Sequence, residues 1–279
     1  MRTAFMLVLA MFCGLTPSLA CTGKIDALSA RRTLVYNPFS ALDGHQQLSI
    51  QVQNTGTESC AYRLWIPDRY LPLQFGNIDF TISGQRAPSA ADSSGLTIQT
   101  PIVAPGQSIK LPLRLSVARG QQSLAGKLTK KIGFALAAEQ ARTTLLDQTE
   151  VDIHCVVPPV FEINVAGSGL RATLEIDDLK LRSKAVVLQM RSTQNHRLEI
   201  QAENGALIRE GSPPGDSTSI PYVVTIDGQS SQLKKGAIWR VNGPAGESSR
   251  RLNVTIGDTA DKLAGLYKDV ITVHIASDL

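Results

Sequence analysis

The chain has 279 residues, of which 43% are hydrophobic and 19% are charged. This composition is typical of a globular protein and excludes a disordered tail or a fibrous repeat. The formal net charge of +4 is too small to indicate a nucleic-acid-binding protein, because such proteins concentrate basic side chains on one surface. The length suffices for one large domain or two domains of ordinary size.

Residues 1–20 have the features of an export signal. Arg2 precedes an apolar run from Ala4 to Cys13, and small residues precede a cleavage position after Ala20. The run is too short to cross a bilayer as a helix. The sequence therefore predicts a protein that is exported through the inner membrane of a bacterium into the periplasm.

The cysteines of the expected mature chain are Cys21, Cys60 and Cys155. In an oxidising compartment, two of them are expected to form a disulfide and one to remain free. Proximity in the sequence favours the pair Cys21–Cys60. An alternative stays open, since Cys21 would be the first mature residue and could carry a lipid, in which case Cys60 would pair with Cys155. Ser18 argues against lipidation, because lipoproteins usually have leucine three residues before that cysteine.

Almost every apolar segment alternates between apolar and polar residues. The alternating segments are 48–53, 60–66, 78–83, 108–117, 150–157, 160–165, 185–190, 197–202, 220–226, 251–256 and 269–275. Each is bounded by Gly, Pro, Asn or Asp, as expected for short strands with one buried face. Only residues 135–146 could form a helix. The sequence predicts an all-β protein built from immunoglobulin-like sandwiches.

A domain boundary is predicted at Pro158–Pro159. Two consecutive prolines cannot lie inside a central strand, and they stiffen a connection. The expected domains are residues 21–157 and residues 160–279, which follow the signal at 1–20.

Signatures of enzymes are missing from the sequence. The histidines, His45, His154, His196 and His274, are far apart and show no metal-ligand spacing. His154 and Cys155 are adjacent on a predicted strand, so their side chains point to opposite faces. We therefore expect no catalytic residue, no metal and no cofactor.

Two aromatic features could contact a ligand. Trp65 and Trp239 could be ligand platforms, although a tryptophan inside an alternating strand is more often part of a core. Tyr70, Leu71 and Phe75 follow Pro67 in an apolar loop, which is predicted to be a contact surface.

The second half carries a set of short motifs. Strand 197–202 is followed by Asn204 and Gly205, then come Pro221 and Tyr222, strand 252–257, and a closing strand with Gly265, Tyr267, Asp269 and Thr272. With these motifs the second half resembles the spore coat protein U-like domain, a family of subunits of archaic chaperone–usher pili. The closing Gly-x-Tyr-x-Asp-x-x-Thr strand is the most specific part of the resemblance.

The first half is similar to a more distant copy of the same domain. It has Cys21, the segment 36–40, strand 48–53, and Cys60 at the start of the next strand. In the family a disulfide joins these two positions, so the resemblance implies Cys21–Cys60. The second half departs from the pattern, because Cys155 has no partner cysteine near Met190.

The resemblance implies a particular architecture and set of partners. A pilin domain of this kind is an immunoglobulin-like sandwich that lacks its last strand, and we expect this of residues 160–279. The open groove is filled first by a periplasmic pilus chaperone. At the outer-membrane usher, the N-terminal donor strand of the next pilus subunit replaces the chaperone by β-augmentation.

The two ends of the chain predict its place in such a pilus. The expected mature chain begins at Cys21 and has no segment before it to donate, and no further strand follows 269–275. A subunit that accepts a strand but donates none lies at one end of the fibre. The sequence therefore predicts the adhesive tip subunit of a fimbrium at the cell surface, with a role in adhesion and biofilm formation. Residues 21–157 would contact a surface or glycan ligand.

Two alternatives remain open from the sequence. The first is a free-standing secreted or lipid-anchored β-sandwich binding protein whose domains are both complete. The second is an exported hydrolase with a sandwich as an accessory domain, which would require clustered carboxylates or a Ser–His pair.

Overall fold

The computed structural model describes residues 21–27, 33–84, 97–141, 144–176 and 182–278. The predicted export signal lies outside these residues. Strands dominate the described chain, and no α-helix occurs in it. The prediction of an all-β protein is confirmed.

The strands before the proline pair form two sheets and a short hairpin. They are β1 (Gly23–Ala27), β2 (Leu34–Val35), β3 (Gly44–Asn54), β4 (Tyr62–Trp65), β5 (Gln74–Phe75), β6 (Ile78–Asp79), β7 (Thr81–Gly84), β8 (Thr97–Gln99), β9 (Ser108–Val117), β10 (Gly126–Ala138) and β11 (Leu145–Val157). One sheet has the order β1-β3-β9-β7, the other the order β2-β11-β10-β4-β8, and β5 pairs with β6. The pairing of β2 with β11 is parallel.

The strands after the proline pair form a larger and a smaller sheet. They are β12 (Phe161–Val165), β13 (Ser183–Ser192), β14 (His196–Ala202), β15 (Ala206–Arg209), β16 (Ser219–Ile226), β17 (Gln229–Ser231), β18 (Ile238–Gly243), β19 (Gly246–Ile256), β20 (Tyr267–Lys268) and β21 (Ile271–Ser277). The larger sheet has the order β12-β13-β19-β16-β15-β20, with β17 paired to β16, and the smaller has the order β18-β14-β21.

Two separate clusters of buried apolar side chains lie on either side of the proline pair. The first is contributed by residues between Ile25 and Val157, and the second by residues between Leu188 and Ile256. Each cluster lies between two sheets because alternate residues of a strand point to one face.

Thr193 anchors the connection between the two clusters. Its side chain is buried, and its hydroxyl donates to the carbonyl of Pro158 at 2.8 Å and accepts from the amide of Val160 at 2.8 Å. The amide of Thr193 donates in turn to the carbonyl of Val160 at 3.1 Å. The segment that follows the prolines is thereby held against the turn between β13 and β14.

Strand β10 corrects the prediction of a helix at 135–146. Residues from Ile132 to Ala138 are all buried, so the strand shows no alternation of apolar and polar residues. Its inner face contributes Phe134 to the first cluster. Its outer face is also covered, since a Cβ at Gly133 would collide with the ring of Tyr70. A strand buried on both faces has a continuous apolar sequence, which resembles that of a buried helix.

Candidate functional site

Strands β1–β11, before the proline pair, are called the first domain below, and strands β12–β21 the second domain, as the sequence predicts. The free side of β21 is the feature of the second domain with the clearest potential to bind a partner. β21 pairs with β14 on one side, and no other described strand pairs with it. Its inward side chains, Ile271, Val273 and Ile275, are only partly buried, although they pack against the second cluster. An unpaired strand edge beside half-buried apolar side chains is a template for pairing with another chain.

Strand β12 lies on the opposite side of this edge. Its inward side chains Ile163 and Val165 are also only partly buried against the second cluster. β12 contacts β21 without pairing with it. The two strands therefore flank one apolar groove, which we call the β12–β21 groove.

The two domains share one order of strands. β1-β3-β9-β7 of the first domain corresponds to β12-β13-β19-β16 of the second, and β8-β4-β10 corresponds to β18-β14-β21. In the first domain β11 pairs with the far side of β10, and β2 then pairs with β11. Among the described residues, the second domain has no counterpart of β11 beside β21.

Strand β11 shows which side chains fill such a position. Val151, Ile153, Cys155 and Val157 alternate with less buried residues, and all four are buried in the first cluster. The position beside β21 would therefore suit a strand with apolar side chains at every second residue.

Asp269 joins several of the predicted motif residues just before β21. Its Oδ1 accepts from the amide of Asn204 at 3.0 Å, from Nδ2 of the same residue at 3.2 Å and from the amide of Val270 at 2.8 Å. Its Oδ2 accepts from the amide of Gly205 at 3.0 Å and from the hydroxyl of Tyr222 at 2.8 Å. One carboxylate thus ties the end of β14 and the middle of β16 to the start of β21.

Two of these motif residues are fixed by their surroundings. The side chain of Tyr222 is buried, and this burial, together with the carboxylate of Asp269, raises the pKa of its hydroxyl well above the ordinary value. Gly205 has a φ of +78°, and a Cβ there would lie 2.8 Å from the carbonyl oxygen of Leu233. A side chain at position 205 would therefore be both strained and obstructed.

The other motif residues support the same region. The hydroxyl of Tyr267 donates to the carbonyl of Leu263, four residues upstream, at 2.6 Å, which resembles the tyrosine corner of immunoglobulin-like domains. Gly265 packs against the side chain of Arg209. Pro221 pairs with Ala206 in the larger sheet. Thr272 is exposed on β21 opposite Gln201, so it contributes a side chain to the outer face of the smaller sheet.

The structure corrects the prediction of an exposed contact loop at residues 70–75. Phe75 is fully buried, Tyr70 is 9% exposed, and Leu71 packs against the first cluster. The hydroxyl of Tyr70 donates to Glu150 on β11, and this hydrogen bond holds the pKa of the Glu150 carboxyl below its ordinary value. The segment folds back over the sheet, so these side chains do not form a contact surface.

The disulfide Cys21–Cys60 is present, as predicted. Cys155 is a free, buried cysteine, and burial raises the pKa of its thiol to about 11. Because the thiolate is the form that attacks a disulfide, a thiol with this pKa exchanges slowly at neutral pH. Cys155 is therefore not expected to exchange with the Cys21–Cys60 disulfide at an appreciable rate at neutral pH.

A buried polar cluster at one end of the second domain was missed by the sequence analysis. His196 is fully buried, and its Nδ1 lies 3.0 Å from the hydroxyl oxygen of Ser192. Burial lowers the pKa of His196, and the nearby charge of Arg250 on β19 lowers it further. The backbone of Gln194 and Pro244 and the charge of Asp278 beyond β21 oppose this.

This cluster predicts acid sensitivity of the second domain. Between the lowered pKa of the folded domain and about pH 6.5, the unfolded chain binds a proton at His196 more readily than the folded domain does, so the free energy of unfolding decreases as the pH falls, by at most about 1.4 kcal/mol per pH unit. Above that pH the residue is neutral in both states and has no effect. Denaturant unfolding between pH 7 and pH 5 measures how the free energy of unfolding depends on pH. His196→Gln should reduce this dependence. The exposed His274→Gln is the control, and an unchanged slope in His196→Gln would contradict the assignment.

Within the described ranges, no group of three or more His, Cys, Asp or Glu side chains could hold a metal ion. No helix in the described part of the chain is long and apolar enough to cross a membrane.

Comparisons with known proteins find likeness at the level of structure only. No protein-family model and no curated protein matches the sequence. One similar solved structure is the CsuC–CsuE chaperone–tip adhesion subunit complex of archaic Csu pili of Acinetobacter baumannii, with 11% identity, a TM-score of 0.40, and coverage of 92% of this chain and 99% of that one. Another is CfaE, the adhesive subunit of CFA/I fimbria of enterotoxigenic Escherichia coli, with 10% identity, a TM-score of 0.37, and coverage of 91% and 81%.

Proposed function

We propose that this chain is the two-domain tip subunit of a chaperone–usher pilus, with a second domain of the spore coat protein U-like type. The observation that carries the proposal is the difference between the two domains. The place beside β10 is filled by β11, whereas the place beside β21 has no strand among the described residues.

The β12–β21 groove supports strand addition as the mode of assembly. A strand that pairs with the free side of β21 would satisfy its backbone groups and cover Ile271, Val273 and Ile275. Burying a side chain of this size contributes about 1.5–3 kcal/mol. A donor strand with several alternating apolar residues would therefore stabilise the second domain strongly.

The β12–β21 groove also indicates which proteins would bind this chain. A periplasmic chaperone would protect the groove after export, and the donor strand of the next pilus subunit would replace it at the outer-membrane usher. The first domain, with β11 in place, would face outward and contact the adhesion target. In this role the chain binds and assembles, and it performs no catalysis.

The test is the unfolding of the full chain with and without a donor strand. The strand is taken from a neighbouring subunit and fused after the C-terminus, and a matched control carries serine at the alternate apolar positions. We expect one cooperative transition for the first domain in every form. The second domain should unfold cooperatively only with the apolar strand, with a gain of at least about 5 kcal/mol.

A different outcome would overturn the proposal. If the second domain unfolds cooperatively without any strand, and the apolar strand adds no more stability than the serine control, the groove is not a strand acceptor. The chain would then be a free-standing secreted binding protein.

A further inference from the structure

The two tryptophans of the chain have different surroundings. Trp239 packs against the second buried cluster. Trp65 is half-buried but packs against neither cluster in the described part of the chain. A large aromatic side chain that contributes to no core has its surface available for another contact.

Trp65 lies on the outer face of the first domain's larger sheet. Along β4, Tyr62 and Leu64 are fully buried in the first cluster, so Arg63 and Trp65 point away from it. In the strand register, Trp65 lies between Ala135 of β10 and Thr97 of β8.

Small residues lie beside the indole ring. Ala135 and Ala137 are on the outer face of β10, yet they are 2% and 0% exposed. Their cross-strand neighbours on β4 are Trp65 and Arg63, whose long side chains can cover them. An indole that packs over Ala135 would cover it with one face and leave part of the other face accessible, since Trp65 is only half-buried.

Hydrogen-bonding groups surround this ring. Arg63 donates from Nη2 to the hydroxyl oxygen of Thr97 at 3.4 Å, and its Nε has no partner among the described residues. Gln99, opposite Arg63, donates to Glu139 at 2.9 Å. Gln148, opposite Ala135, accepts from Arg69 at 2.8 Å. Arg69 also lies near the carboxylate of Glu150, and Glu139 accepts from Gln99, so carboxylates as well as guanidinium groups lie at this surface.

We propose that Trp65 and Arg63 form a binding site for a neutral, hexose-containing glycan. A hexose has an apolar face of C–H groups that can stack on the indole and a rim of hydroxyls that can bond the guanidinium and amides. Neighbouring strands are about 4.8 Å apart, which is close to the width of one sugar ring. The inference rests on the proposed adhesive function, since it names the ligand of the outward domain.

The experiment uses the full chain with the fused donor strand, and Trp239→Phe leaves Trp65 as the tryptophan of the chain whose fluorescence is followed. Lactose, cellotriose and maltotriose are titrated to about 10 mM, the range of a weak single-site sugar complex. We expect a saturable change of the fluorescence with at least one of these sugars.

The affinities of Trp65 and Arg63 variants are measured by calorimetry. Trp65→Ala should abolish binding, and Arg63→Met should weaken it about tenfold.

Control variants separate binding from folding. Arg114→Met, on the exposed face of the opposite sheet, should bind like the parent chain. Trp65→Phe should bind sugar weakly and unfold like the parent chain. If Trp65→Ala does not fold, Trp65→Phe and Arg63→Met together test the binding site. The proposal is overturned if none of the three sugars binds, or if the Trp65 and Arg63 variants bind as tightly as the parent. The parent chain and all variants carry the same fused strand, so failure of sugar binding is distinct from failure of strand acceptance.

Discussion

Replacing Asp269 with alanine is expected to lower the free energy of unfolding of the second domain by about 3–5 kcal/mol. The carboxylate accepts five hydrogen bonds, from Asn204, Gly205, Tyr222 and Val270. Its loss leaves the buried hydroxyl of Tyr222 without this acceptor, and an unsatisfied buried group adds its own cost. The measurement is urea unfolding of the chain with the fused donor strand.

Two further variants show whether the carboxylate itself is responsible. Asp269→Asn keeps an oxygen acceptor but loses the charge, so its loss of stability should be smaller than that of alanine. Asp261→Ala removes an exposed carboxylate from the loop before β20 and should change stability by less than about 0.5 kcal/mol. If Asp269→Ala lowers the free energy of unfolding by less than about 1 kcal/mol, the hydrogen bonds of the Asp269 carboxylate do not hold β21 in place.

Removal of the disulfide is expected to destabilise the first domain by about 4 kcal/mol. Cys21 and Cys60 are separated by 39 residues, and a cross-link that closes a loop of this size restricts the unfolded chain by that amount. The variant replaces both cysteines with serine, and the measurement is denaturant unfolding followed in the first domain. The second domain should be unaffected.

Reduction provides an independent control for the disulfide. Dithiothreitol should lower the stability of the parent chain to that of the double serine variant, and it should have no effect on the variant. Sensitivity of the variant to dithiothreitol would instead implicate Cys155, the free cysteine in the first cluster.

Most strands could be predicted from the sequence because one face of each is buried. Alternation predicts the strand at 48–53, which lies within β3, and the strand at 108–117, which is β9. The disulfide was also predicted, because Cys21 and Cys60 are close in the sequence and the resemblance implies this pair. These features depend on local periodicity and composition, which a single sequence displays directly.

The failures have a common physical cause. The residues 135–138 belong to β10, whose outer face meets Tyr70 at Gly133 and lies beside Trp65 and Arg63 at Ala135 and Ala137. Covering this face removes the alternation of the strand, and the contact with Tyr70 buries an apolar loop that was predicted to be exposed. Both errors come from contacts between segments that are distant in the sequence, and the local pattern contains no signal for them.

The candidate site was predicted in part. The resemblance identified Asn204, Gly205, Tyr222 and Asp269, and the structure brings these residues together. Their role in accepting a strand remains a prediction. His196 could not be identified, because its burial depends on how the two sheets of the second domain meet. A histidine at the start of an alternating strand looks the same whether it is buried or exposed.

On the proposed function, the stability of the second domain depends on the concentration of a second molecule, the donor strand. A strand that binds the folded second domain and not the unfolded chain would stabilise that domain by mass action, by about 1.4 kcal/mol for each tenfold rise in strand concentration above the dissociation constant. The corresponding edge of the first domain is already paired with β11 and would not respond in this way. The two domains of one chain would therefore differ in how their stability depends on the concentration of the partner.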